Sequence, residues 1–338
     1  MCGVRYKLPA MMTLHTPLHP LYLAAMLPVA GLTSPAWAQY AERPERIIRA
    51  IVPFSTGGTN DITARMIAPY VAKALGQQVM VENRPGAAGN TGIEAVAKAP
   101  PDGYTLLFSA TASTQNPALF RHLRFDPITD IQPVAAIAEF PYAIVANAYL
   151  PVKNLRELVA LARGNTATLN ASSGGIGTRL SVELFKLRNN IRAEVITYNG
   201  TGQAALAVAT GETQFAIMDV SPYQPFLASG RVKILAMASQ QRLTMLPDVP
   251  TVAEAGLPAM QAGAVAAVYV SGKTPAGIVQ TLNGTINHVL ALSEVREQLR
   301  KQGGNVEAKT VNALTHWYRQ EIQTWKDIVT RAKIPPVD

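Results

Sequence analysis

The stretch IVPFSTGGTNDITARM, residues 51–66, joins an apolar run to a run of helical character through serine, threonine and glycine alone. Residues 47–53 are β-branched or apolar apart from Arg49 and read as a strand. Ile62, Met66, Tyr70 and Ala74 then recur every four residues until Gly76, which predicts a helix that stops at that glycine. Strand, small-residue loop and helix in succession open a βαβ unit, and its repetition along a chain predicts parallel sheets in an α/β fold.

The repetition is present. A strand at 79–82 runs through NRPGAAGNTG into a helix at 93–98, and a strand at 104–108 runs into SATASTQNP, residues 109–117. The apolar stretch 131–146 reads as two strands with a turn near Pro141, and as the first crossing between two lobes. Beyond it come a helix at 155–163, a strand at 168–171, the loop SSGGIGT at 172–178, and a helix with Leu180, Leu184 and Leu187 on one face. A strand at 195–198 meets NGTGQ and a helix at 204–210; a strand at 214–219 meets SPYQ, where Ser221 is placed to cap a helix with Pro222 at its first position. A strand at 233–238, an apolar run at 262–270 read as the second crossing, and helices at 276–292 and 311–333 complete the chain.

Residues 1–38 stand apart from this pattern. Arg5 and Lys7 precede the apolar run 21–32, and Ala36-Trp37-Ala38 precedes Gln39, the small-x-small pattern of a signal-peptide cleavage site. Cleavage after Ala38 and export to the periplasm are expected. Met11 and Met12 offer alternative starts. The apolar run is shorter than the roughly 20 residues of a spanning helix and holds Pro28. Removal of 1–38 takes away Cys2, the single cysteine, so the mature function uses neither disulfides nor thiol chemistry. It also takes two of the 30 basic residues and none of the 22 acidic ones, so the net charge becomes 28 − 22 = +6. No basic cluster resembles a nucleic-acid footprint. The mature length suits two lobes better than one core.

At least four strands thus end in Gly/Ser/Thr loops that open helices, and ligands of open α/β sheets sit at the carboxyl ends of the strands. Glycine lets a ligand approach the backbone, and the unpaired N–H groups of a helix's first turn carry partial positive charge suited to an anion. Three or four such donors at about 1.5–3 kcal/mol each approach the roughly 8 kcal/mol of a micromolar complex. Ser109 and Thr111 stand in one of these loops. Taken singly, each loop is also simply how a βα unit turns and caps its helix.

Catalytic patterns are missing. There is no G-x-S-x-G elbow and no lysine closing a phosphate loop, and GIGTRL, residues 175–180, lacks the third glycine of a dinucleotide fingerprint. His122, His288 and His316 sit singly, which argues against a metal site or a histidine base. No cofactor is expected, and the reading is of a protein that is not an enzyme. Asp61 lies in a first helical turn, where an acid is favoured locally. Asp219 ends a strand beside a helix start and is placed to meet a cationic or hydroxyl group of a ligand.

RIIRAIVPFSTGGTNDITARMIA, GQQVMVENRPGAAGNTGIEAVAKAPPDGYTLLF and LPDVPTVAEAGLP resemble the substrate-binding proteins of tripartite tricarboxylate transporters, the Bug or TctC family. The resemblance runs from about Arg46 to the C-terminus. It implies a type II periplasmic-binding-protein fold, with two α/β lobes joined by two crossing segments and a ligand cleft between them. It places lobe 1 at 39–142 and 266–338 and lobe 2 at 143–265. It further implies a monomer that binds a small carboxylate (a di- or tricarboxylate, an acidic amino acid or an aromatic acid) through backbone groups and delivers it to a membrane permease. The alternative is a sensing subunit that reports the same acid to a membrane histidine kinase.

By position, Pro53, Phe54, Gly57, Gly58 and Asp61 match the family's first loop, in which a second proline is replaced here by Ser55 or Thr56. Ser172, Gly175, Gly177 and Thr178 match its glycine loop, Tyr198, Gly200 and Gln203 fall in another cleft loop, and Asp219 matches a cleft-facing acid. Where relatives carry Ser-Trp-Phe-Gly, this chain has Ala264, Val265, Ala266 and Ala267. A roomier or reshaped cleft at Val265 is therefore expected.

Overall fold

The computed structural model describes residues 46–164, 169–306, 308–331 and 336. The expected signal segment and its cleavage point at Ala38 lie outside the described residues, as do Thr168 and the last residues expected in the terminal helix.

The first sheet begins with β1 (Ile48–Val52), which the loop 53–58 joins to α1 (Thr59–Leu75). β2 (Val79–Asn83) and, after α2 (Asn90–Ala97), β3 (Thr105–Ser109) flank β1 on either side, both parallel to it. A further helix, α3 (Ala112–Leu119), leaves β3. Then comes β4 (Ile131–Asn147), one strand of 17 residues where a turn was expected near Pro141. Its first part pairs antiparallel with β9 (introduced below) as far as Pro141, and from Tyr142 onward it joins the second sheet. A proline has no N–H to give to a ladder. Pro141 sits where β4 changes partners, so the chain passes from one sheet to the other without turning back.

In the second sheet, α4 (Leu155–Arg163) is capped by the Asn154 side chain, which accepts from the Glu157 N–H at 3.0 Å. β5 (Leu169–Ser173), α5 (Ile176–Asn189), β6 (Ala193–Thr197), α6 (Thr201–Thr210) and β7 (Phe215–Asp219) follow. β5 is parallel to β6 and β7, while β7 runs antiparallel to β4. A 3-10 turn (Ser221–Tyr223) and α7 (Gln224–Ala228) lead to β8 (Val232–Met237), which lies against the other edge of the second part of β4. The Ser221 hydroxyl caps nothing; it is buried without a hydrogen-bond partner. β9 (Gly263–Ser271) returns to the first sheet between β3 and β4, and α8 (Ala276–Ala291), α9 (Ser293–Lys301) and α10 (Val311–Arg331) cover it.

The result is two α/β lobes joined by β4 and by the segment entering β9. Each sheet is covered on both faces, as near-continuous apolar strands require. In the first lobe Ile48, Ile67, Val71, Leu282 and Ile286 form one core layer and Ile51, Ile93, Tyr269 and Tyr318 the other. In the second, Phe185 and Ile217 belong to one layer and Val208 and Met218 to the other.

Two helical faces differ from expectation. α1 buries Ala64, Ile67, Ala68 and Val71, while Ala74 is exposed. A repeat of four drifts by about 40° per step around a helix of 3.6 residues per turn, so a stripe read that way leaves the core. α5 buries Leu180, Val182 and Phe185, whereas Leu187, near the end of the helix, is 75% exposed.

Candidate functional site

Between the lobes, at the carboxyl ends of β1, β3, β5 and β7, the chain encloses a cavity of about 40 Å³ open to water centres. About 10–15 Å³ by that measure admits one water, so the space accepts a few waters or a small polar group. Its wall is built from the first turns of α1, α3, α5 and α6, together with residues of β4, β7 and β9. Among the described residues no lysine, arginine or histidine lines it. Among the described residues, no group of three or more His, Cys, Asp or Glu is placed to hold a metal ion.

From the first lobe come Phe54, Gly58, Thr59, Asn60 and Asp61. Gly57 turns the chain at φ +80°, a conformation that glycine adopts without strain. Asp61 holds the turn: its Oδ2 accepts from the Gly57 N–H at 2.9 Å, and its Oδ1 accepts from Arg65 Nε and Asn83 Nδ2, each at 2.9 Å. Asn83 Nδ2 also donates to the Phe54 carbonyl at 3.0 Å. Asn60 presents a buried side-chain oxygen that has no hydrogen-bond partner.

The second lobe contributes Gly175, Ile176, Gly177 and Thr178. Thr178 closes its own loop, accepting from the Gly174 N–H at 2.9 Å and donating to the Gly175 carbonyl at 3.0 Å. At Gly177 a Cβ would stand 2.5 Å from Gln115 Oε1 and 2.8 Å from Thr111 Oγ1, so a side chain there must displace the Gln115 amide and the Thr111 hydroxyl.

Asp219, at the end of β7, is 3% exposed and accepts a hydrogen bond from the Thr59 hydroxyl of the opposite lobe. Burial pushes its carboxyl up to about 6, with the Thr59 bond opposing. Burial, and then the nearby Asp219 charge, raises the Tyr142 and Tyr223 hydroxyls above their ordinary range. Tyr142 stands opposite Asp219 in the β4–β7 ladder and meets Thr111 with its hydroxyl.

The lobes meet along a seam beside the cavity. Ser55 N donates to the Asn199 carbonyl at 2.9 Å, and Thr59 N to Thr201 Oγ1 at 3.2 Å. A Cβ at Gly202 would lie 2.8 Å from both the Gly57 carbonyl carbon and the Thr56 carbonyl oxygen, which are backbone atoms of the other lobe. On the far side Ile176 and Leu180 pack against Leu119 and Val329.

Of the residues singled out in the sequence, Phe54, Gly58, Asp61, Thr111, Gly175, Gly177, Thr178 and Asp219 share this wall. The others stand behind it. Pro53 packs on Gly92, and Gly57 and Gly200 lie in the seam. Ser109 is buried with an unpartnered hydroxyl, and Ser172 donates to the Ala204 carbonyl at 2.9 Å. The Tyr198 hydroxyl is hydrogen-bonded to Glu212 at 2.7 Å, and Gln203 Oε1 accepts from the Asn199 N–H at 3.2 Å.

Val265 does not face the cavity. Successive residues of a strand point to opposite faces, so Ala264 lines the cavity while Val265 lines a neighbouring groove of about 270 Å³ with Trp317 and Glu321. The position whose size bears on the cavity is Ala264.

Thr59, Asn60, Phe140, Tyr142 and Thr201 also stand on the wall and were not singled out. Thr59, Asn60 and Thr201 sit in loops already recognised, in the first helical turn, where N–H groups face a ligand. Phe140 and Tyr142 carry no such signal within an apolar run.

Residues 63–334 match the profile of the family described as the tripartite tricarboxylate transporter family receptor. MatC from Rhodopseudomonas palustris, solved with bound malate, is 33% identical, with TM-score 0.79 over 85% of this chain and 99% of its own. A second R. palustris protein, solved with adipate, is 30% identical, with TM-score 0.83 over 87% of this chain and 99% of its own. The periplasmic binding protein BugD is 27% identical, with TM-score 0.82 over 87% of this chain and 100% of its own. The mixed α/β fold is that of these periplasmic solute-binding proteins.

Proposed function

The chain belongs to the tripartite tricarboxylate transporter receptor family, a family of periplasmic solute-binding proteins, and from that premise we propose that it captures a small carboxylate between its lobes. The observation that carries the reading is the wall itself: the first turns of four helices converge on one cavity that no basic side chain lines. Such a wall holds an anion by backbone N–H groups and oriented dipoles instead of by counter-charge. The malate and adipate of the two R. palustris proteins agree in chemistry. Di- and tricarboxylates, acidic amino acids and aromatic acids are the candidate ligands.

The loaded form is the one in which the lobes meet, as the seam and the Thr59–Asp219 bond connect residues of both. Closure around the ligand is the change a membrane permease of the tripartite type reads, and delivery to that permease is the proposed task. Of the lobe limits read from the sequence, 39–142 with 266–338 and 143–265, the one at 142/143 is supported by the change of partners in β4 at Pro141 and Tyr142. We assign the protein to the periplasm as a monomer, exported with cleavage after Ala38; among the described residues no helix is long and apolar enough to cross a membrane.

A thermal-shift screen of residues 39–338 against these acids tests the reading. A ligand at a hundred times its Kd adds about 2.7 kcal/mol, a shift of several degrees. Silence across every acid, with protein refolded from denaturant to empty the cavity, would overturn it.

A further inference from the structure

Asp219 is an acid built into the wall of an anion site. It stands at the cavity, 3% exposed, with its Oδ1 engaged by the Thr59 hydroxyl from the opposite lobe. Among the described residues no side chain donates to its Oδ2, and it forms no ion pair. The groups that face it are Thr59 and Asp61 from α1, Tyr142 from β4 and Tyr223 from the turn after β7. None of these is a cation, and Arg65, the partner of Asp61, is directed to Asp61 and Asn83. A carboxylate ligand entering here meets a like charge in a poorly solvated space.

Resting on the carboxylate reading above, we propose that Asp219 determines specificity as a neutral acid. On closure it takes one proton from solvent and donates its O–H to a carboxylate oxygen of the ligand. The geometry suits both oxygens: Oδ1 goes on accepting from Thr59, and Oδ2 carries the proton. Burial already pushes this carboxyl up to about 6, and a ligand anion acts in the same direction. Such an O–H···O⁻ contact is among the stronger hydrogen bonds. It also turns the site against ligands that would place an ammonium beside Asp219, since neutral Asp219 offers no counter-charge. The loaded receptor therefore carries one proton more than the empty one.

Calorimetry with succinate, malate and aspartate as probes, in two buffers of different ionisation enthalpy, tests this. Expected for the wild type near pH 7.5 is the uptake of close to one proton per succinate or malate, with affinity falling five- to tenfold per pH unit between pH 6.5 and 8.5. Asp219→Asn, whose amide donates at every pH, should show no uptake and no pH slope in the succinate affinity that it retains. Zero uptake by the wild type, or unchanged uptake by Asp219→Asn, overturns the proposal. So does aspartate binding more tightly than succinate without uptake, which would mean an ionised Asp219 facing an ammonium.

A ligand-free arm compares melting of the two proteins from pH 4 to 8. The wild type should lose stability relative to the variant as pH rises through about 6. Should the acids bind while neither arm shows the proton, only this proposal falls. Should this arm show the titration while no acid binds, the carboxylate reading falls and the donor role with it.

Discussion

Two aspartates look into the same cavity from opposite lobes, and each is 3% exposed. Asp61 is held by Arg65, Asn83 and the Gly57 N–H, all from its own lobe. Among the described residues Asp219 has one side-chain partner, Thr59, and that partner belongs to the other lobe. Equal burial therefore means different things. The first carboxylate is compensated at home and serves the shape of its loop; the second has only its own backbone N–H at home and gains a side-chain partner when the lobes meet, so its condition depends on closure. What separates a structural acid from a functional one here is where its partners are anchored.

The largest effect that tests this contrast is on stability. Asp61→Ala leaves Arg65, Asn83 and the Gly57 N–H without their acceptor. Breaking a buried pair costs about 3–5 kcal/mol, and because Arg65 is half-exposed about 3 kcal/mol is expected, or roughly 6–12 °C in Tm. Asp219→Ala should cost much less at neutral pH, and equal losses in the two variants would break the comparison.

The second effect is the pH dependence of Asp219. Its carboxyl is raised when folded, so its contribution is complete below the ordinary value near 4 and is lost as pH rises through about 6. Relative to Asp219→Asn, the wild type should lose on the order of 3 kcal/mol across that window, followed by denaturation at fixed pH values. Asp61→Asn should remove none of this pH dependence.

Third, the meeting of the lobes can be blocked while both aspartates are left alone. Gly202→Ala sets a Cβ against the backbone of residues 56 and 57, and Gly177→Val drives into Thr111 and Gln115. Each should weaken ligand binding at least tenfold, about 1.4 kcal/mol, with Tm of the ligand-free protein within roughly 2 °C of the wild type. Wild-type affinity in either variant would mean that the ligand is held without the seam.

The smallest effect belongs to β9. Val265→Ala should leave affinity within about twofold, because its side chain lies off the cavity, whereas Ala264→Val adds bulk to the wall and should lower it further. Titration of both variants with the best acid from the screen decides.

Loops that open helices were legible because their signal is local: glycine, serine and threonine between a β-branched run and a helical one. That signal marks the loops that hold Gly58, Gly175 and Gly177, and the family resemblance singles out the residues within them. α3 carries no helical signal in the sequence because its buried face is polar: Ser113, Thr114, Gln115 and Asn116 are all within 2% of full burial. Asn116 is satisfied by the Ala88 carbonyl at 3.0 Å and Asn90 Oδ1 at 2.7 Å. A helix that lines a polar seam shows no apolar stripe, so periodicity cannot find it. Phe140 and Tyr142 were hidden for the opposite reason, since in an apolar run nothing in the composition separates a cavity wall from a core.

The undivided strand β4 has a consequence for how the protein comes apart. Its first part completes the ladder of one sheet through β9, and its second part lies between β7 and β8 in the other. Neither lobe can melt without stripping the shared strand of half its hydrogen bonds, so the loss of one undermines the other. Two bodies that look separable in outline are then a single cooperative unit, and calorimetry should record one heat-absorption peak, with calorimetric and van't Hoff enthalpies in agreement.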